Sequence, residues 1–249
     1  NRGQSEAVLT QPLVVLAHGV AGYKEEGMLQ CVSDYFRQCG LPVLCYDARH
    51  GLGESGGDLQ KACFTEFIRD LNAVLSWAKT ERGIQKFILA GHSLGAGACL
   101  HYASAHTDEV LGLIMLSAVY NGQLLKESYL KNKPAFMVQW EKEKLIYRER
   151  PDCPSKNGYI SINHLADACR YHEEENAKDV TAPVLIVCGD HDVSSTVEIN
   201  RKLKDSFRGN ATLSILNNCG HTYSKPENLL DLKDAIESWF NNSGIVDAT

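Results

Sequence analysis

The chain has 249 residues, 44% of them hydrophobic, and a formal net charge of −6. That length and apolar content suit one domain with a large core and an embellishment. Without a basic block, the chain offers no electrostatic footprint for nucleic acid or an anionic membrane. No apolar run approaches the roughly 18 residues of a spanning helix, so no transmembrane segment is expected. The start, Asn1 to Thr10, is polar and does not read as a signal peptide.

Along the chain, short apolar runs alternate with helix-like stretches. Leu13–Ala17 predicts a first strand, followed by the loop His18-Gly19-Val20-Ala21-Gly22, and 42–46 predicts a second. Phe64, Phe67, Ile68, Leu71, Val74, Leu75 and Ala78 recur at three- and four-residue steps, so a helix is expected there, closed by Gly83. A strand over 86–90 leads into Gly91-His92-Ser93-Leu94-Gly95, then into small residues suited to a helix lying close to a sheet. Strands are also expected over 111–116, 184–188 and 212–216. Near the end, Ser224-Lys225-Pro226-Glu227 predicts an N-cap serine, proline at the first helical position and a capping-box glutamate. The alternation predicts an α/β protein with a mainly parallel, doubly wound sheet.

One stretch interrupts this order. Between Ala118 and Ala182 the chain turns charged and aromatic, with Tyr120, Tyr129, Trp140, Tyr147 and Tyr159 spread through it. Asn157-Gly158 signals a tight turn, and 144–148 and 159–162 predict the arms of a small hairpin.

The chemistry-bearing residues fall on loops after strands. Strand, Gly-x-Ser-x-Gly and helix together make a nucleophile elbow. Its turn strains the serine backbone, and glycines two positions either side avoid collisions. Ser93 is therefore expected to hold its hydroxyl exposed above the sheet edge. The run 183–188 ends in Gly189-Asp190-His191-Asp192, placing two competing carboxylates where open α/β sheets carry their sites. The last strand ends in Asn217-Asn218-Cys219-Gly220-His221. Serine, acid and histidine thus follow the chain order of a hydrolase triad.

On His18-Gly19, on the run from Asp47 to Ser55, on Gly91–Gly95, on Gly189–Asp192 and on Gly220-His221, the chain resembles the α/β-hydrolase superfamily from about Leu13 to Phe240. Within it, the chain is most similar to small capped serine esterases of the acylglycerol-lipase, feruloyl-esterase and serine-aminopeptidase-like group. The resemblance implies Ser93, Asp192 and His221 as catalytic residues, with Asp190 fixing its loop. It implies the backbone N–H groups of Val20 and Leu94 as an oxyanion hole. It also implies a short cap inserted after the family's sixth strand. The expected division is a core of 1–119 and 183–249 with a cap over 120–182. The family's usual Asp-x-Arg-Gly-His-Gly-x-Ser is altered here around Arg49-His50-Gly51; Arg49 is expected in a salt bridge, with His50 and His92 as pocket neighbours and His18 bonded within its own loop.

The implied activity is cleavage of small or medium acyl or aryl esters, or of monoacylglycerol-like esters, through an acyl-enzyme. A thioesterase or aminopeptidase of the same fold remains an alternative, the latter keeping Glu141, Glu143, Glu173, Glu174 and Glu175 as candidates for binding a free amine. So does a hydrolase-fold ligand receptor with vestigial activity. An aspartate would be needed at position 93 for dehalogenase or epoxide-hydrolase chemistry. The nine cysteines are an odd number, several within apolar runs, which suits reduced thiols in a cytoplasmic protein. Their spacing gives no metal site, and no cofactor is expected. Asn210-Ala211-Thr212 and Asn241-Asn242-Ser243 match the glycosylation triplet but carry little weight.

Overall fold

The structure is a computed structural model and describes residues 11–149 and 158–245. The chain runs β1 (Leu13–Ala17), α1 (Gly27–Gln38), β2 (Val43–Tyr46), α2 (Phe64–Arg82), β3 (Phe87–His92), α3 (Leu94–Ala105) and β4 (Val110–Leu116). It continues through α4 (Gly122–Asn132), α5 (Pro134–Glu143), β5 (Leu145–Arg148), β6 (Gly158–Ser161), α6 (Asn163–Ala168) and α7 (Glu174–Ala177). It returns through β7 (Val184–Gly189), α8 (Val197–Ser206), β8 (Ala211–Leu216) and α9 (Pro226–Asn242).

Six strands form one sheet in the order β2-β1-β3-β4-β7-β8, each neighbouring pair parallel. Why the strands read as continuous apolar runs is visible in β1. Leu13, Val15 and Ala17 enter one core cluster, while Val14 and Leu16 enter another on the opposite face. Parallel strands buried on both faces need apolar residues at every position. Phe64, Phe67, Leu71 and Leu75 of α2 cover the first face, and Leu29, Leu232, Ile236 and Trp239 of α1 and α9 cover the second. This is the doubly wound parallel sheet that the alternation predicts.

Helix ends follow local chemistry. Gly83 closes α2 in the left-handed conformation at φ 68°, where a Cβ would be strained. At the start of α9 the expectation needs correction: the N-cap is Lys225, not Ser224, and no side chain caps it. Pro226 takes the first helical position as expected, and its ring restricts the preceding residue to extended backbone, seen in Lys225 at φ −98°, ψ 145°. That places the cap one residue later than the capping-box spacing requires.

The segment expected after the family's sixth strand follows β4, the fourth strand of this sheet by sequence, and returns at β7. Its arms β5 and β6 pair antiparallel, with Tyr147 opposite Tyr159. The pairing is one residue shorter than expected at Lys144, which instead closes α5 at φ 64°. Gly158, expected in the tight turn, instead opens β6 opposite Arg148, so the second arm runs over 158–161 rather than 159–162, and Asn157 lies outside the described residues. The segment is tied to the core at several points: Thr65 N–H and hydroxyl donate to Asp167, and Tyr171 stacks on Phe64 at 4.4 Å. Asn210, the first glycosylation-triplet asparagine, donates its amide to the Val180 and Ala182 carbonyls and so fastens the segment's end beside β8. Among the described residues no helix is long and apolar enough to cross a membrane.

Candidate active site

The elbow at Ser93 is built by two close backbone approaches. Ser93 stands at φ 54°, ψ −118°, a conformation rarely held by a residue with a side chain. A Cβ on Gly91 would lie 2.5 Å from Ala96 N, and one on Gly95 would lie 2.4 Å from the Ala17 carbonyl oxygen. Both contacts are with backbone, which cannot swing away, so only glycine lets α3 start this close to β1 and β3. Surrounding hydrogen bonds hold the strain: Ser93 N–H donates to Leu116 O at 2.9 Å, and Ser93 O accepts from Ala96, Gly97 and Val119.

Three loops at the C-terminal edge of the sheet meet there. His221 Nε2 lies 3.1 Å from Ser93 Oγ, and His221 Nδ1 lies 2.8 Å from Asp192 Oδ2. A carboxylate only accepts, so Nδ1 carries the imidazole proton and Nε2 is left to accept from the serine hydroxyl. The other oxygen of Asp192 accepts from the N–H groups of Ser194 and Ser195 at 2.8 and 2.9 Å, a pair of donors that the sequence reading had missed. Burial alone would raise the Asp192 carboxyl; the His221 charge and hydrogen bond, with those two N–H groups, outweigh it and hold the carboxyl below the ordinary value. Asp190, on the exposed side of the same turn, accepts from Cys219 N–H at 3.2 Å and so ties the acid-bearing loop to the histidine-bearing one. That is the loop-fixing place expected for it.

Ser93 itself is only 5% exposed, against the expectation of an exposed hydroxyl. The covering is local: the loop after β1 presses so closely that a Cβ on Gly19 would sit 2.9 Å from Ser93 Cβ. That contact puts the Val20 peptide beside the serine. Leu94 is the first residue of α3, where helical N–H groups lack an intrahelical acceptor. Among the described residues, neither Val20 N–H nor Leu94 N–H donates to a protein acceptor.

The remaining candidates hold loops in place. His18 is fully buried; Ala48 N–H donates to its Nε2 at 2.8 Å, so its Nδ1 donates to Gly19 O at 2.7 Å. It stitches the loop after β1 to the loop after β2. His92 lies closer to the chemistry: its Nε2 donates to the His221 carbonyl at 2.8 Å, and the two rings stand 4.9 Å apart. His50 accepts from Asp58 N–H within its own loop. Arg49 pairs with Glu66 and Asp70, as expected of it. Burial first, then nearby Asp192, pushes the Cys219 thiol up to about 11, so it stays protonated at neutral pH and serves packing. A cleft of about 550 Å³ lined by Pro183, Leu185, Thr212 and Trp239 opens at the N-terminal ends of β7 and β8, remote from Ser93. Among the described residues no cluster of His, Cys, Asp or Glu is arranged to hold a metal ion.

A parallel sheet with a serine elbow and an adjoining histidine and carboxylate defines an α/β-hydrolase. The chain belongs to the family described as serine aminopeptidase, S33, whose model matches residues 10–225, and is a hydrolytic enzyme. It is 26% identical to a monoacylglycerol lipase of Mycolicibacterium smegmatis, over 91% of this chain and 87% of that protein. Its fold is similar to that of Est1E from Butyrivibrio proteoclasticus, solved with ferulic acid bound, at a TM-score of 0.72 and 21% identity over 92% of this chain and 90% of that one. The monoacylglycerol lipase of Paleococcus ferrophilus is similar at a TM-score of 0.69 and 19% identity, over 94% and 96% of the two chains.

Proposed function

We propose that the protein is a serine esterase that cleaves small or medium acyl or aryl esters, monoacylglycerol-like esters among them, through an acyl-enzyme. The unbroken hydrogen-bonded chain from Ser93 through His221 to Asp192 carries this reading. Ser93 Oγ attacks the ester carbonyl carbon while its proton passes to His221 Nε2. Asp192 holds the imidazole in the accepting tautomer and stabilises its charged form. The carbonyl oxygen, now negative, takes hydrogen bonds from Val20 N–H and Leu94 N–H. The tetrahedral species then collapses, the alcohol leaves with the proton from Nε2, and the acyl group stays on Ser93. Water repeats the sequence and releases the acid. Loss of one oxyanion donor typically costs about 100- to 1000-fold in rate.

Residues 120–182 form the cap in this reading, over a core of 1–119 and 183–249. What supports this is that Ser128 Oγ in α4 donates to the Val193 carbonyl, next to the acid. Eight free cysteines among the described residues agree with a reducing, cytoplasmic setting.

Ester cleavage is favoured over aminopeptidase action by the state of the cap carboxylates. Glu173 pairs with His101, Glu174 accepts from Asn121, and Glu141, Glu143 and Glu175 lie on exposed surface. Among the described residues none of these carboxylates is hydrogen-bonded to Ser93, His221 or Asp192, although Glu174 keeps one buried oxygen without a partner. The test is labelling by a fluorophosphonate together with turnover of 4-nitrophenyl esters and aminoacyl 4-nitroanilides. Labelling at Ser93 with ester turnover supports the reading. Amide turnover exceeding that of esters assigns the aminopeptidase, and neither label nor turnover removes the esterase.

A further inference from the structure

The insertion holds two cations over aromatic rings beside the acid-bearing loop. Ser194, whose N–H donates to Asp192, has its hydroxyl 3.4 Å from Tyr129 Oη in α4. The Tyr129 ring meets Phe136 at 5.5 Å between centres, and Phe136 meets Trp140 at 5.4 Å. Lys133 Nζ stands 5.7 Å from the Tyr129 ring centre and 6.0 Å from that of Phe136. The Arg148 guanidinium stands 5.9 Å from the same Phe136 ring. Lys133 joins α4 to α5 and Arg148 ends β5, so two separate elements bring positive charge to one ring.

Among the described residues, no carboxylate forms an ion pair with Lys133 or Arg148. Asp192 is not free to do so, because its oxygens accept from His221, Ser194 and Ser195. Burial first, then the Arg148 charge, holds the Lys133 ammonium below the ordinary lysine value, and the Asp192 carboxylate opposes them only in part. Two like charges, Lys133 half-buried and Arg148 exposed, thus each lie about 6 Å from the centre of one ring. Cation–π contact with the rings offsets part of that cost. An anion placed between them would offset more, whereas an ammonium there would be repelled.

We propose that Lys133 and Arg148 form an anion subsite of the active site, so that the preferred ester carries a carboxylate or phosphate away from the scissile bond. This rests on the esterase reading above. It names a substrate class that neither the elbow nor the family match supplies.

The experiment measures kcat/KM for two matched pairs at low ionic strength. On the acyl side the pair is 4-nitrophenyl hydrogen adipate against 4-nitrophenyl hexanoate. On the alcohol side it is an oleoylglycerol phosphate against oleoylglycerol. The expected result is an anionic-to-neutral ratio above one in one pair, which identifies the end of the ester that carries the charge. That ratio should fall about five- to tenfold in Lys133→Met and in Arg148→Met, mainly through KM, and again in 0.5 M salt. Lys133→Arg should keep it. Each ratio is taken within one preparation, so partial misfolding cancels. Ratios at or below one in both pairs, or a preference unchanged in both methionine variants, overturn the subsite while leaving the esterase intact. Loss of turnover on all four substrates overturns the esterase reading itself.

Discussion

Ser93, the proposed nucleophile, has a strained backbone at φ 54°. Ser93→Ala should lower ester kcat/KM by at least about a thousandfold while leaving the thermal transition nearly in place, because only one oxygen is lost. Ser93→Gly should be equally inactive but more stable than the alanine variant by about 1 kcal/mol, since glycine relieves the strain; equal transition temperatures for the two variants would contradict a strained elbow. Asp192→Asn should reduce kcat by about 10⁴-fold, because an amide can present its N–H to Nδ1 and so favour the wrong imidazole tautomer. The Asp192 carboxyl lies below its ordinary value when folded. Its contribution to stability is therefore complete above the unfolded carboxylate range and is lost as pH falls through the folded value. Acid unfolding of Asp192→Asn should lack that lowest-pH component.

The helices and strands act by how closely they approach. Gly95→Ala would set a methyl group 2.4 Å from a β1 carbonyl oxygen and push α3 off the sheet. The expected loss is about 3 kcal/mol or more in urea unfolding. Within the insertion, burial pushes fully buried His164 down to about 4. The unfolded histidine protonates near 6.5, so stability is complete above that value and declines as pH falls from about 6.5 toward 4. Between pH 7 and pH 5 the native protein should lose about 2 kcal/mol more than His164→Leu, by urea titration; equal losses would place the imidazole in contact with water. The inner strands were legible in the sequence because strands buried on both faces must be apolar throughout, whereas β2 and β8 at the edges are only partly buried and stood out through their place in the alternation. The cap of α9 was not, because Pro226 overrode the spacing signal of Ser224 and Glu227. The hairpin arms were legible to one residue each, since Lys144 closes a helix instead of starting β5 and Gly158 already belongs to β6.

Across the whole molecule, the candidate site was readable where local motif and strand end coincide. Ser93, Asp192 and His221 each follow a strand of the same parallel sheet, and topology then brings their loops together. What escaped the sequence depends on conformation that no motif marks: the turn that aims the N–H groups of Ser194 and Ser195 at Asp192, the approach of His92 to distant His221, and the meeting of Lys133 and Arg148 at Phe136. Of the insertion's aromatics, Tyr120 bonds the Ile199 carbonyl in the core, Trp140 bonds the Ile160 carbonyl within the insertion itself, and Tyr147 and Tyr159 are exposed. Of those five, Tyr129 is the one hydrogen-bonded to the acid-bearing loop, through Ser194, and nothing in its local sequence sets it apart. The most direct measurement is rapid-quench mass spectrometry during turnover of 4-nitrophenyl hexanoate, with the adduct mapped by peptide. The account predicts a transient gain of one hexanoyl group on the peptide holding Ser93, absent in Ser93→Ala. Turnover with the acyl group on another residue, or undiminished turnover in the alanine variant, would contradict it.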